Sequence, residues 1–545
     1  MCIGMKQKKM KKNKTHKKMY INKLIITSVF LILSHLNYAN DNLILIKIDN
    51  PKQLYSLFDN KDLTINFYND NYVIGILNES KKINFDFFVL EKNAFSNDLG
   101  YFLIQSPLKT RHSYFEEIKD KGIVLFEDDR ILVVKPLNFG VLIPPARNHG
   151  IIYIPNNTAI LPTSNFQFPI VLEPDTVIQR KLSYVDIESL MGKIQHLENY
   201  ETRVYFRPES IEAQNWIAEK FASYGLTTDI QRVIVSGFPL GPSNSSGNVI
   251  ATQRGNVFPD EYIVVGAHYD SWSWNPINVA VAPGADDNAS GTAGVIEIAR
   301  ILSQYEFERS IIYIAFAAEE VGLIGSRMYA SRARNEGKRI LGYFNLDMIG
   351  YLFPGNDPSI SLIYPSSATP LANYYVNIAN IYFPNVPIFH FTGLVGGDSD
   401  HTSFNQNGFM GIYPFEDEYA YSPFIHSAFD LIGPSVNNPE LAQMFTQIAL
   451  ASIATLAGIY EPEPNSNQEI NLTSLNIFPN PTKGVVNLDT EQKNIQFIQV
   501  FNKAGKKVLE NRFQNSIDLS SLPSGNYFLK ISIDNQLVYQ KVVKI

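Results

Sequence analysis

Between residues 184 and 460 the sequence alternates short apolar runs with segments of helical period, and this alternation constrains the fold more than any other feature. The runs at 248–252, 262–267, 311–316 and 341–346 read as buried strands. Residues 209–224 carry Ile211, Trp216, Ile217 and Phe221 at helical spacing, and 289–302 reads as a helix between two of the runs. Apolar strands separated by helices imply a largely parallel sheet covered on both faces, an α/β architecture. In such sheets, ligands bind beyond the carboxyl ends of the strands.

Those ends carry groups of metal-ligand type. The run 262–267 leads into His268-Tyr269-Asp270, the run 311–316 into Ala317-Ala318-Glu319-Glu320, and 341–346 into Asp347. Asp286 and Asp287 sit in a loop that enters a helix, and a later strand at 411–415 is followed by Glu416 and then His426. Two imidazoles with carboxylates and no thiolate suit a catalytic zinc site. His268, Asp286, Glu320, Asp347 and His426 are the candidate ligands of two divalent ions. Sharing these groups between two ions requires one bridging carboxylate, and Asp286 is assigned to that position. Glu319 and Glu320 leave the strand in different directions. One then serves as ligand, and the other takes the proton of the activated water. Asp270 is the expected acceptor for the His268 imidazole N–H. His112, His149, His196 and His390 read as surface or packing residues.

The flanks differ in character. Nine lysines and no acid lie in residues 1–39, so the rest of the chain carries 37 basic against 53 acidic residues, a balance that does not suit nucleic acid. Lysines, then an apolar run at 24–36, then Asn37-Tyr38-Ala39 give the order of a secretory signal peptide, with a basic tail or an N-terminal anchor as the competing readings. No stable membrane span is expected, the run being short for one. Cys2 lies in this head and is the only cysteine, so a thiol nucleophile or Cys-ligated zinc is excluded from the rest. Residues 40–183 read as a β-rich accessory or pro-domain, with hairpins at 63–77 and 123–134. After the domain at 184–460, residues 461–471 form a polar, proline-bearing linker, and 472–545 return to short strands, a small β-sandwich pattern.

Gly266-Ala267-His268-Tyr269-Asp270-Ser271, Pro283-Gly284-Ala285-Asp286-Asp287-Asn288-Ala289-Ser290-Gly291, Ala318-Glu319-Glu320-Val321-Gly322 and Asn345-Leu346-Asp347-Met348 together resemble the co-catalytic zinc aminopeptidase family, typified by secreted bacterial leucyl aminopeptidases. The resemblance implies a zinc-exopeptidase fold and two zinc ions. It places His268 and Asp347 on one ion, Glu320 and His426 on the other, Asp286 between them and Glu319 as general base. It also implies a cis peptide between Asp286 and Asp287. Ser399-Asp400-His401 resembles a segment near the family's substrate pocket. The tyrosine that precedes it in some members is replaced by Gly396-Gly397, leaving Tyr419 or Tyr421 to take that role. Separately, Asn476-Ile477-Phe478-Pro479-Asn480-Pro481, Leu522-Pro523-Ser524-Gly525-Asn526-Tyr527 and the terminal Lys541-Val542-Val543-Lys544-Ile545 resemble the type IX secretion sorting domain.

The expected protein is a secreted metallo-exopeptidase acting on peptides, with an aminopeptidase activity driven by a metal-bridging water and Glu319. Carboxypeptidase or glutaminyl cyclase chemistry and a non-catalytic surface-binding protein are the rivals. Export through the periplasm of a Gram-negative bacterium by the type IX machinery follows from the second resemblance.

Overall fold

The structure, a computed structural model, describes residues 41–95, 100–105, 118, 120–137, 150–163, 166–235, 245–273, 279–391, 398–460, 476–489, 495–503, 506–512, 514–533 and 536–545. The expected signal segment with Cys2, the linker 461–471, His112, His149 and Gly396-Gly397 lie outside these residues. The chain divides into two compact units, residues 1–461 and 462–545.

The first unit begins with two antiparallel sheets. Strands β1 (Asp41–Lys47), β2 (Leu63–Tyr68), β3 (Tyr72–Asn78) and β4 (Phe88–Glu91) pair in the order β2-β3-β1-β4. Strands β5 (Tyr101–Gln105), β6 (Gly122–Glu127), β7 (Ile131–Pro136) and β8 (Ile151–Ile154) pair as β6-β7-β5-β8. The Asn69 side chain closes the β2–β3 hairpin by accepting from the Asn71 and Tyr72 N–H groups, an Asx turn of the kind the sequence implies. Leu43, Leu45 and Ile74 from one sheet share a core with Leu103, Val133 and Ile152 from the other, and with Leu323 of the following α/β region.

That region is built on an eight-stranded sheet. In chain order the strands are β9 (Thr227–Gln231), β10 (Asn248–Gln253), β11 (Phe258–His268), β12 (Arg309–Phe316), β13 (Arg339–Asn345), β14 (Ile360–Ile363), β15 (Ile388–Phe391) and β16 (Gly411–Phe415), arranged β15-β14-β16-β13-β11-β12-β10-β9. The centre is parallel, as the patterning requires: β11 runs with β12 and β13, and β13 with β16. Antiparallel pairing appears toward the edges, where β10 opposes β9 and β12, and β14 opposes β16. Alternation shows why the central strands are apolar throughout. Ile311, Tyr313 and Ala315 of β12 enter the core beneath helices α1 (Ile187–Glu198), α2 (Pro208–Ser223), α3 (Gly291–Leu302) and α5 (Pro439–Ala457). Ile312, Ile314 and Phe316 enter the core on the opposite face, with Tyr329 and Ala330 of α4 (Ile324–Asn335).

The N-terminal sheets pack on this α/β body. Tyr68 Oη donates to the Asn405 carbonyl at 2.7 Å, and the Asp70 carboxylate accepts from the Ser366 N–H and Oγ at 2.8 and 2.7 Å.

The second unit pairs β17 (Asn476–Phe478), β18 (Val485–Asp489) and β21 (Ser516–Asp518) in one sheet, and β19 (Ile495–Asn502), β20 (Lys507–Arg512), β22 (Gly525–Ile533) and β23 (Gln536–Lys544) in another. Val486, Leu488 and Ile517 share a core with Ile498, Val500, Leu529 and Ile531. Among the described residues, no helix is long and apolar enough to cross a membrane.

Candidate metal centre

Three neighbouring parallel strands deliver the centre. β11 ends on His268, β12 runs into Glu319 and Glu320, and β13 runs into Asp347. The chain turns sharply beyond β12 and β13, where Ala318 and Met348 have positive φ, at 59° and 49°, and again at His426, at 52°. Such angles cost a non-glycine residue of order 1 kcal/mol and persist where surrounding structure imposes them.

The side chains converge. His268 Nε2 lies 3.3 Å from Asp287 Oδ1, 3.5 Å from Asp347 Oδ1 and 4.0 Å from Glu319 Oε2. His426 Nε2 lies 3.1 Å from Asp287 Oδ2 and 2.9 Å from Glu320 Oε2. The two oxygens of Asp287 therefore face the two imidazoles, and each imidazole has a further carboxylate of its own. Burial on its own would lower both imidazoles, but the carboxylates around them hold them well above their ordinary value. Burial raises Asp287 less than the imidazoles lower it, and its carboxyl ends below the usual range. Burial takes Glu320 up to about 7, with His426 opposing.

The carboxylate that faces both imidazoles is Asp287 and not Asp286, the residue expected between them. The Asp286 and Asp287 N–H groups both donate to Asp430, at 2.9 and 3.0 Å, while their side chains find different partners. Asp286 Oδ1 accepts from the Gly350 N–H at 2.9 Å. Burial first, then Asp430 nearby, lifts Asp286 well above the carboxylate range, as burial and Asp286 lift Glu416. The cis peptide is correspondingly one residue further on, between Asp287 and Asn288.

Asp270 also differs from expectation. His268 Nδ1 meets the Asp270 backbone carbonyl at 3.0 Å, while the carboxylate stands 3.7 Å away. That carboxylate instead accepts from the Glu319 and Glu320 N–H groups at 3.1 and 3.3 Å, fixing the turn that carries both glutamates. Asp347 is oriented through a chain: Ser399 Oγ donates to its Oδ2 at 2.6 Å, and Asn345 Nδ2 donates to Ser399 at 2.8 Å.

Of the three candidate substrate contacts, only Tyr421 lines the pocket over the centre. Tyr419 is 83% exposed, with its ring against Phe391. His401 is buried against Tyr413 and lies outside that pocket's lining; burial pushes it down to about 3.

Two residues that carry the site had no local signature. Asp430 organises the Asp286-Asp287 turn from 144 residues away. Arg203, fully buried, donates to the carbonyls of Leu197, Tyr269, Pro283 and Gly284. Gly284 has φ of 54°, and a Cβ there would sit 2.5 Å from the Asp287 carbonyl oxygen. Arg203→Met is expected to strand four buried carbonyls, cost about 3 kcal/mol or more and lower the melting temperature by about 5 °C. A thermal melt within a degree of wild type would contradict this.

The donor set suits a divalent metal. Asp347 Oδ1 and Glu320 Oε1 are buried and accept no hydrogen bond. Ligand atoms of His268, Glu319 and Asp347, and of His268, Asp287 and Glu320, lie within 4.8 Å of one another. Buried carboxylates left with unmet lone pairs are costly unless a cation completes them.

Residues 248–452 match Peptidase family M28, and residues 476–545 match the secretion system C-terminal sorting domain. A probable zinc metalloprotease of Pyrenophora teres f. teres is 33% identical over 200 residues, covering 32% of this chain and 42% of that protein. A probable aminopeptidase of Saccharomyces cerevisiae is 26% identical over 306 residues, covering 54% of this chain and 79% of that one. Among solved structures, LapB from Legionella pneumophila aligns with a TM-score of 0.52 at 22% identity, covering 66% of this chain and all of its own. This last likeness establishes the fold.

Proposed function

Because this chain belongs to peptidase family M28 and ends in a secretion-system sorting domain, we propose that it is an exported aminopeptidase with two zinc ions. The observation that carries the reading is the Asp287 carboxylate set between His268 and His426, with Asp347 and Glu320 beside them. His268 and Asp347 would hold one ion, His426 and Glu320 the other, and Asp287 both. Zinc held there supplies Lewis-acid chemistry, polarising a scissile carbonyl and making water acidic enough to lose a proton near neutral pH.

The remaining work belongs to the chain. Glu319 stands furthest from the imidazole among the facing carboxylates, so it is the group left to accept a proton from attacking water and return it to the departing amine. Its N–H is pinned by Asp270, which holds the carboxylate on the pocket side of the turn. Ser399 keeps Asp347 oriented. The aminopeptidase names among the similar proteins support removal of N-terminal residues. Zinc analysis should find about two ions per chain. The enzyme should cleave free-amine aminoacyl substrates and spare their N-acetylated forms. Cleavage governed by the C-terminal carboxylate, or cyclisation of N-terminal glutamine with ammonia release, would overturn the aminopeptidase reading.

Export would use the sorting domain, delivering the protein through the periplasm to the surface or medium of a Gram-negative cell. Deleting residues 476–545 is expected to retain the enzyme inside the cell without impairing specific activity. Unchanged activity in the medium would contradict that role.

A further inference from the structure

The pocket over the centre has a second polar end that the hydrolytic machinery does not use. Glu418 lines it, only 5% exposed, and its Oε1 has no hydrogen-bond partner. The residue is fixed in place, because its N–H donates to Ser361 Oγ at 3.0 Å. Burial, with Asp417 and Asp398 adding to it, lifts the carboxyl up to about 9. Asp398 also lines the pocket; its neighbour His401 stands 3.6 Å away and is held neutral by burial. No lysine or arginine is among the described lining residues. The same pocket is also lined by apolar and aromatic side chains, among them Met348, Phe415, Tyr421 and Ile425, which cluster together.

A buried carboxyl oxygen without a hydrogen-bond partner is costly, and burial holds this acid in its neutral form until a cation arrives to pair with the ionised one. The apolar lining suits an aliphatic stem, as the long cationic side chains bury their methylenes and carry charge at the tip. We propose that Glu418 is the cation-binding end of the subsite for the substrate's N-terminal side chain, selecting lysine or arginine there. The proposal rests on the aminopeptidase reading above and adds its substrate class.

The test is kcat/KM of the zinc-loaded full chain with lysyl, arginyl, norleucyl and leucyl chromogenic amides. Norleucine matches lysine in its stem and lacks the amine. The wild-type protein should favour lysyl over norleucyl by about 30-fold or more, and Glu418→Gln should bring that ratio toward one. A uniform fall for all four substrates would overturn the proposal, since the carboxylate would then be reading the α-amine. An unchanged ratio would overturn it as well. Should Glu418→Gln fail to fold, inhibition of the wild-type enzyme by free lysine and by norleucine decides: tighter lysine binding supports the subsite, and tighter norleucine binding removes it. Turnover of leucyl and norleucyl amides without a lysyl preference removes the subsite alone. No turnover of any of the four removes the aminopeptidase reading and this proposal with it.

Discussion

Asp287→Ala is expected to reduce bound zinc from about two ions per chain to less than one and to lower kcat/KM by at least about 10⁴-fold. Its two oxygens face both imidazoles, so one truncation removes a ligand from each side of the centre. It also leaves His268 with Asp347 and His426 with Glu320, without the group that joins the two pairs. The neighbouring substitution supplies the contrast. Asp286 already sits in surroundings that favour its neutral form, with one oxygen on the Gly350 N–H. Asp286→Asn, a neutral isostere, should therefore keep near-normal zinc and most of the activity. Metal analysis and kinetics on the pair decide the matter. If the asparagine variant loses its zinc while the alanine variant keeps it, the shared carboxylate has been misplaced.

The second large effect is expected at Glu319. Glu319→Gln preserves size and hydrogen-bonding reach but cannot accept a proton, so kcat should fall by about 10²–10⁴-fold. The variant should still bind about two zinc ions. KM should move little, because the glutamine remains on the same Asp270-pinned turn. Loss of zinc along with activity would make Glu319 a ligand instead of a base, an alternative its position 4.0 Å from His268 Nε2 makes worth measuring.

The parallel centre of the sheet and the ends that carry His268, Glu319, Glu320 and Asp347 were legible in the sequence, because a strand buried on both faces leaves a continuous apolar run. Each run stops where the polar chemistry begins. The choice between Asp286 and Asp287 was not legible. Two adjacent acids in a turn present the same local pattern either way, and only their distant partners tell them apart: the Gly350 N–H for Asp286 and the two imidazoles for Asp287. Arg203 and Glu418 were hidden for a related reason: an isolated charge outside a motif reads as solvated until packing shows it buried. The antiparallel edges escaped as well, since β10 is apolar enough to resemble its parallel neighbours. For Asp270 the residue was found and its partner was not, because the imidazole takes the backbone carbonyl and leaves the carboxylate for the glutamate turn.

The separation of the site's parts along the chain also sets when activity can begin. The Asp286-Asp287 turn depends on an aspartate 144 residues later, and the N-terminal sheets close onto residues more than 300 positions away, as Tyr68 does on Asn405. Gly150 and Ile151 from the N-terminal part line the very pocket in which substrate would bind. Contacts this distant are among the slow ones to form. A chain that has not completed these contacts therefore lacks the geometry of the site, whichever of its groups are already present. On the proposed reading, hydrolysis would begin only as a late event in folding.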